Sequence, residues 1–195
     1  MKISLIGGCK VGGVGGFLTL VDELSSRLQD DIDFVIYCEY DGRKIERYND
    51  GKRRIVLTPR RGKLELLQNR VKAINDSIYV EEVDAIYILG YVSSLFINWR
   101  VLRKKKIPLI LNPDGLEWKR KKYNLLPRIF LYISERIGIS LADFIIVDSE
   151  EIEAYIRRKY GRESIFIPYG CRINFQYENL GINLEKFGVK ALKYY

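Results

Sequence analysis

The chain of 195 residues contains no histidine, only three cysteines and one methionine, and no apolar run near the roughly 18 residues that cross a bilayer. Without histidine, Ser-His-Asp and Cys-His catalysis and most zinc sites are excluded. The three cysteines, Cys9, Cys38 and Cys171, are widely spaced. They predict reduced thiols in a cytoplasmic protein rather than a disulfide framework or a metal site. The residues after Met1 show no signal-peptide pattern.

The net charge of +8 is concentrated in one part of the chain. Residues 98–128 contain ten Lys or Arg and two acids, so the remaining residues sum to zero. A local excess of this kind indicates an anionic partner, such as a phosphate, a nucleotide, an anionic lipid or a nucleic acid. Residues 103–106 are interpreted as the solvated C-terminus of a helix, where cations interact favourably with the helix dipole. Residues 119–122 follow a predicted strand.

Short apolar runs alternate with amphipathic stretches about six times along the chain. Residues 17, 20, 21, 24 and 28 are apolar at helical spacing, for example, and they follow the apolar run 2–6. Alternation of strands and helices predicts an α/β fold with a Rossmann-like parallel sheet and helices on both faces. The pattern weakens after Cys171. We therefore expect one domain over residues 1–172 and a linker or the start of another domain over residues 173–195.

Six glycines lie in residues 7–17, between the first predicted strand and the first predicted helix. Glycines let backbone N–H groups approach a ligand, and a helix N-terminus binds anions such as a diphosphate. A flexible tight turn is the alternative, but it needs fewer glycines. The spacing fits neither a P-loop nor G-x-G-x-x-G. Glu39 is nevertheless placed where a dinucleotide site has its acid, at the end of the second strand.

A second polar segment follows the predicted strand at residues 108–111. Asn112 and Pro113 end the strand, and Asp114, Glu117 and the cations of residues 119–122 come next. The two carboxylates either perform acid–base chemistry or hold substrate hydroxyls. Alternatively, Asp114 caps a turn and Glu117 pairs with a lysine, which the spacing alone favours. Trp118 either stacks on a sugar ring or packs.

Four motifs together resemble the N-terminal domain of family-4 glycosyltransferases, in the rhamnosyltransferase-like branch. They are Gly-Gly-Phe-x-Thr-x-Val-x-Glu-Leu at residues 15–24, Asp-Gly-Leu-Glu-Trp-Lys-Arg at 114–120, Asp-Ser-Glu-Glu-Ile at 148–152 and Ile-Pro-Tyr-Gly at 167–170. The resemblance covers nearly the whole chain. It implies the N-terminal half of a GT-B architecture, in which two Rossmann-like domains face each other across a cleft.

The resemblance also implies a function. The domain would bind the acceptor, a glycan or a lipid-linked glycan, in a retaining hexosyltransferase of polysaccharide biosynthesis whose nucleotide-sugar donor carries rhamnose. Asp114 matches the residue that relatives place beside the reacting sugar, and no metal or cofactor is expected. The substrate- and donor-binding residues carried over from the motifs are Gly15, Gly16, Glu117, Lys119, Arg120, Tyr169 and Gly170.

The resemblance further predicts a separate donor-binding domain, in the same or another chain, and no transferase activity without it. Residues 119–130 combine cations with apolar side chains, so peripheral contact with an anionic membrane is one expectation. A basic loop before an ordinary core helix is the other.

Two other classes remain as alternatives. A nucleotide- or NAD-binding oxidoreductase domain would use the glycine-rich loop and Glu39. A nucleic-acid binder would use the positive charge. No nucleic-acid partner is expected, because the basic residues lack interleaved exposed aromatics and a helix-turn-helix signature.

Overall fold

The computed structural model describes residues 1–60 and 62–170, which form one eight-stranded sheet with the strand order β3-β4-β2-β1-β5-β6-β7-β8. All neighbouring strands are parallel except β3 and β4, which are antiparallel. The predicted Rossmann-like fold class is confirmed. The strands are β1 (Lys2–Lys10), β2 (Asp33–Tyr40), β3 (Glu46–Asp50), β4 (Arg53–Pro59), β5 (Ala85–Leu89), β6 (Leu109–Asn112), β7 (Phe144–Val147) and β8 (Ile165–Phe166).

Helices cover both faces of the sheet unequally. The core on one face contains Val21 from α1, and the core on the other face contains side chains from α2 to α5, including Ile74, Leu102, Leu131 and Ile156. No helix within the described residues is long and apolar enough to cross a membrane. The helices are α1 (Gly16–Arg27), α2 (Lys63–Tyr79), α3 (Trp99–Lys105), α4 (Leu125–Leu141) and α5 (Glu150–Tyr160), with short 3-10 helices at Ser94–Phe96 and Glu117–Lys119.

The strand order creates a crevice beside β1. The chain runs from β1 outward to β2 and β4, and it returns on the other side of β1 as β5 and β6. In open α/β sheets, such a switch point at the carboxyl ends of the strands is the usual place for a ligand. The loops after β1, β6 and β8 all leave the sheet at this edge.

The prediction of reduced thiols is wrong for two of the three cysteines. Cys9 and Cys38 form a disulfide, although 29 positions separate them in the sequence. They are neighbours because β1 and β2 pair in parallel with Cys9 opposite Cys38, which brings their Cα atoms to 4.5 Å. Cys171 and the predicted linker at residues 173–195 lie outside the described residues.

The loop in the glycine-rich segment is shorter than the predicted one, which covered residues 7–17. Strand β1 continues to Lys10, with a register shift between Ile6 and Cys9. A Cβ on Gly7 would lie 2.5 Å from the Leu89 carbonyl oxygen, and one on Gly8 would lie 2.4 Å from the Leu89 side chain. These two glycines therefore serve close strand and side-chain packing, and the loop itself comprises residues 11–15.

The two basic clusters lie at opposite edges of the sheet. Residues 103–105 form the last turn of α3, so the prediction of a helix C-terminus for the first cluster is confirmed. That turn leads into the N-terminal end of β6, whereas residues 119–122 follow its carboxyl end. Only the second cluster shares an edge with the crevice.

Candidate functional site

A cleft of about 310 Å³ opens at the carboxyl edge of the sheet. One wall is the loop after β1 with the first residues of α1, including Gly15 and Gly16. Asp114, from the loop after β6, and Tyr169, which follows β8, complete the lining. The structure thus brings four sequence-predicted site residues together from three separate parts of the chain.

The α1 side of the cleft has the character of an anion site. Helix α1 has twelve residues, its N-cap is Gly15, and no side chain caps its first turn or places an acid there. The free N–H groups of a helix N-terminus attract anions through hydrogen bonds and the helix dipole. Gly16 and Lys10, which contributes the cationic side chain, both line the cleft. Sequence reasoning did not select Lys10, which lies within β1.

Asp114 is held in an unusual backbone conformation. Its φ is +53°, and that of Gly115 is +71°, so the chain passes through two successive left-handed residues. Asp is one of the few residue types that tolerate this region. Partial burial raises the pKa of the Asp114 carboxyl, and the charge of Glu117 adds to the increase. Arg120 and Lys122 oppose the shift.

Asn112 connects the two residues that face the α1 side of the cleft. Its side chain is almost fully buried; Oδ1 accepts the Asp114 N–H at 3.3 Å, and Nδ2 donates to the Tyr169 hydroxyl at 3.2 Å. Its carbonyl accepts the Gly90 N–H at 2.7 Å. The sequence indicates Asn112 only as a strand terminator. Its polar side chain at the end of a buried run is the signal that could have marked it as a site residue.

Tyr169 lies against the start of α1. A Cβ on Gly16 would be 3.7 Å from the Tyr169 ring, so the two are in van der Waals proximity. Burial and the charge of Asp148 raise the pKa of Tyr169, and its hydrogen bond with Asn112 opposes them. Gly170 lines a second groove of about 620 Å³, on the other side of Tyr169 and along α1.

The other three predicted site residues do not line this cleft within the described residues. Glu117 forms ion pairs with Arg120 at 2.8 Å and Lys122 at 3.5 Å, and it accepts a hydrogen bond from the Tyr123 hydroxyl at 3.1 Å. This is the pairing that the spacing favoured. Lys119 lies over the Trp118 ring, 5.4 Å from its centroid. These contacts make a compact basic loop beside the cleft.

A buried carboxylate fixes the loop that carries Asp114. Glu135, on α4, is 1% exposed and accepts hydrogen bonds from the Trp118 indole at 2.9 Å and from Lys159 at 3.1 Å. The Tyr155 and Tyr160 hydroxyls also donate to it, at 2.6 and 2.5 Å. Lys159 lies over four aromatic rings, those of Trp118, Tyr132, Tyr155 and Tyr160. The cluster packs Trp118 against the core, which agrees with the packing alternative predicted for it.

Arg70, on α2, places a cation beneath the glycine-rich segment. Its Nη2 donates to the Gly7 carbonyl at 3.2 Å, and its Nε has no hydrogen-bond partner within the described residues. Burial lowers the pKa of Arg70, while Glu39 opposes this effect and Arg60 adds to it. Asp114 is also close enough to favour the charged guanidinium. A lone arginine in a helix gave no signal in the sequence.

A family profile described as "Domain of unknown function (DUF1972)" matches residues 2–172. The chain belongs to this family. The matched range includes all the helices and strands that the structure describes, and both walls of the cleft lie within it. No curated protein sequence matches the chain significantly.

Several solved structures share the fold of the DUF1972 domain at low sequence identity. Sucrose-phosphate synthase from Thermosynechococcus elongatus superposes with a TM-score of 0.65 at 17% identity, over 88% of this chain and 48% of that one. UDP-GlcNAc 2-epimerase from Methanocaldococcus jannaschii gives 0.54 at 14% identity, over 87% and 45%. Trehalose 6-phosphate synthase from Burkholderia multivorans gives 0.52 at 14% identity, over 87% and 48%.

The likeness shows the fold and confirms a Rossmann-like domain of the GT-B type. The chain spans about half the length of these three neighbours. Within its described residues, the DUF1972 domain has no group of three or more His, Cys, Asp or Glu side chains placed to hold a metal ion.

Proposed function

We propose that this chain is the acceptor-binding half of a retaining glycosyltransferase, which transfers a sugar from a nucleotide-sugar donor to a glycan or lipid-linked acceptor. The convergence of the α1 N-terminus, Lys10, Asp114 and Tyr169 in one cleft carries the proposal. Its supporting chemistry is an anion site on one wall and a carboxylate on the other. The neighbours' names point the same way: two of them are a sucrose-phosphate synthase and a trehalose 6-phosphate synthase.

The two walls have separate roles in this proposal. The N–H groups at the start of α1 and the Lys10 ammonium contact the diphosphate of the donor, as Gly15 and Gly16 do in the motif. Asp114 accepts hydrogen bonds from hydroxyls of the reacting sugars, and Asn112 holds the Asp114 backbone in place. A carboxylate acceptor for substrate hydroxyls suits a sugar ligand, since a polar site gains its selectivity from such pairs.

Glu117, Lys119 and Arg120 act beside the cleft in this scheme. Their mutual contacts and those of Trp118 shape the loop that positions Asp114. The rhamnose donor and the independence of metal and cofactor belong to the proposal through the motif resemblance. Peripheral membrane contact belongs to it through the cations and apolar side chains of residues 119–130. A cytoplasmic location also belongs to the proposal, although the Cys9–Cys38 disulfide removes the argument from reduced thiols.

The dinucleotide alternative is less well supported by the geometry. Glu39 would have to bind the ribose hydroxyls, but its carboxylate is mostly buried and ion-paired with Arg60. Ribose binding would have to replace this contact. We therefore expect no saturable change in tryptophan fluorescence when NAD or NADH is added.

A binding experiment tests the anion wall in the chain itself. Backbone amide resonances of residues 13–18 are followed by NMR while inorganic pyrophosphate is added. We expect saturable shifts in this segment that weaken in Lys10→Gln. Lys44→Gln is the control, because Lys44 is an exposed cation outside the cleft lining. Shifts spread evenly over all exposed cations would contradict the proposal.

A transfer experiment tests the carboxylate. It uses this chain joined to, or mixed with, a nucleotide-sugar-binding domain, with dTDP-rhamnose as donor and lipid-extracted glycans as acceptors. Asp114→Asn should lower the rate at least ~100-fold, the scale on which a positioned acid–base or hydroxyl-binding group acts. The exposed Asp31→Asn is the control. We expect no transfer by the 195-residue chain alone, so measurable transfer by it would refute the proposed division of labour.

A further inference from the structure

Helix α4 exposes apolar side chains at its N-terminal end. Leu125 is 71% and Leu126 is 79% exposed, and Ile129 and Ile133 are also exposed. At 100° per residue, these four positions fall within about 100° of arc on one side of the helix. The buried residues Leu131, Ser134, Glu135, Gly138 and Ile139 occupy the opposite side. The N-terminal part of helix α4, up to Ile133, is therefore apolar toward solvent on this side as well as toward the core, and the exposed Arg136 follows on the same side.

The apolar stripe continues onto a neighbouring element. The Phe96 ring, on the 3-10 helix after β5, lies 6.1 Å from the Phe130 ring of α4, and Phe96 is itself exposed. We call Phe96, Leu125, Leu126, Ile129 and Ile133 the α4 patch. A contiguous exposed apolar surface on a soluble domain generally marks a binding surface.

Cations surround one end of the α4 patch. Residues 119–122 and Arg128 are five exposed Lys or Arg side chains, and no acid occurs between Glu117 and Glu135. Glu117 pairs with two of the five, and Glu135 is buried against Lys159. The rim therefore keeps a net positive charge. Apolar side chains flanked by Lys and Arg are complementary to a bilayer interface with anionic headgroups.

We propose that the α4 patch and its basic rim dock this domain onto an anionic lipid bilayer, with α4 inserted at the level of the headgroups. A second copy of the chain is a poorer occupant, because a symmetric contact would bring the two basic rims together. The patch lies at the carboxyl edge of the sheet, since it is built from the segments that follow β5 and β6. Docking therefore places the cleft near the membrane surface, where a lipid-linked acceptor would be found.

Vesicle co-sedimentation of the full chain tests the docking. The probes are phosphatidylcholine vesicles with and without phosphatidylglycerol, at low and high salt. We expect binding to the anionic vesicles that salt weakens by screening. Lys121→Gln/Lys122→Gln should weaken partitioning about 30-fold, from about 1 kcal/mol per cation near the surface. The control Arg103→Gln/Lys104→Gln removes the same charge at the opposite edge and should have little effect beyond general screening.

A matched pair of leucine variants tests the apolar part. Leu125→Ser should weaken partitioning about tenfold, which is the scale of one leucine removed from an apolar environment. Leu64→Ser is the control, since Leu64 on α2 is equally exposed at 71% and lies outside the patch. Circular dichroism confirms that each variant is folded.

Equal binding to both vesicle compositions would overturn the docking proposal. Unchanged vesicle binding of the Lys121→Gln/Lys122→Gln variant or of the Leu125→Ser variant would also overturn it. So would self-association that Leu125→Ser abolishes in sedimentation velocity without vesicle binding, which would assign the patch to a second copy. The vesicle assay contains no nucleotide sugar, so its failure leaves the transferase proposal intact. Conversely, an Asp114→Asn variant that loses transfer but binds vesicles normally would show that the docking does not depend on the transferase site.

Discussion

Replacing Glu135 should be among the most destabilising single changes in this domain. The carboxylate is 1% exposed and accepts four hydrogen bonds, from Trp118, Tyr155, Lys159 and Tyr160. Glu135→Ala would leave the Lys159 ammonium without its buried counter-charge and three neutral donors without their acceptor. Burial already raises the pKa of Tyr160, and its hydrogen bond to Glu135 adds to this increase, as expected for a hydroxyl that donates to a carboxylate.

The magnitude follows from the environment of Lys159. Removing one partner of a buried ion pair costs about 3–5 kcal/mol. The lower end, about 3 kcal/mol, applies here, because the Lys159 side chain is 24% exposed and keeps its contacts with four aromatic rings. For a domain of this size, the loss corresponds to a fall of about 6–12 °C in Tm. Glu135→Gln keeps one oxygen acceptor and should cost about 1.5–2 kcal/mol.

Urea unfolding followed by circular dichroism measures the loss of unfolding free energy. Glu163→Ala is the matched control, because Glu163 is 80% exposed in its ion pair with Arg157 and should contribute less than about 0.5 kcal/mol. Trp118 fluorescence gives a second readout, since the freed indole N–H changes its surroundings while Trp99 does not. A cost below about 1 kcal/mol for Glu135→Ala, or one equal to that of the control, would refute the role assigned to the cluster.

Three further predictions concern the β1 edge and the cleft. Reduction of the Cys9–Cys38 disulfide, or Cys38→Ala, should lower the unfolding free energy by about 3.6 kcal/mol on the chain-entropy estimate for a loop of this length, measured by urea titration with and without reductant; an unchanged midpoint would contradict it. Asp114→Asn should raise the unfolding free energy at neutral pH. Partial burial raises the pKa of Asp114 in the folded state, so the ionised carboxylate disfavours folding at pH values above its unfolded-state pKa. The difference from wild type should vanish at about pH 3, where the carboxyl is protonated in both states. A gain that persists at that pH would point to another cause. Gly8→Ala should cost about 1–3 kcal/mol, because a Cβ there would lie 2.4 Å from a buried side chain, whereas Gly170→Ala has open space and should stay near wild type in a thermal melt.

The layered fold could be predicted because hydrophobic periodicity is local. Alternating buried strands and amphipathic helices need only the sequence around them to be recognised, and Asn98 shows where such reasoning reaches its limit. Between β5 and β6 the chain forms a 3-10 helix and then α3 rather than one continuous helix, since the Asn98 side chain accepts the Val101 N–H and caps a new helix. A capping side chain within a polar stretch competes with continuation of the preceding turn.

The candidate site could be predicted only in part, because its members meet through tertiary structure. Asp114 and the glycine-rich loop were found from local motifs. The disulfide depends on the register between β1 and β2, and the positions of Glu135 and Arg70 depend on how α4 and α2 pack. The sequence does not specify those distances by spacing. The resemblance likewise identified a block of residues from 114 to 120 without distinguishing the cleft-lining Asp114 from its supports.

The left-handed backbone at residues 114 and 115 restricts which amino acids can evolve there. A β-branched or bulky residue at position 114 would lose about 1–2 kcal/mol from conformation alone. Asp, Asn and Gly are the types that escape most of this cost, and of these only Asp carries a negative charge. Relatives that lack the carboxylate at this position should therefore have Asn or Gly there rather than any of the other amino acids, which would identify them as descendants of a protein with Asp at this position.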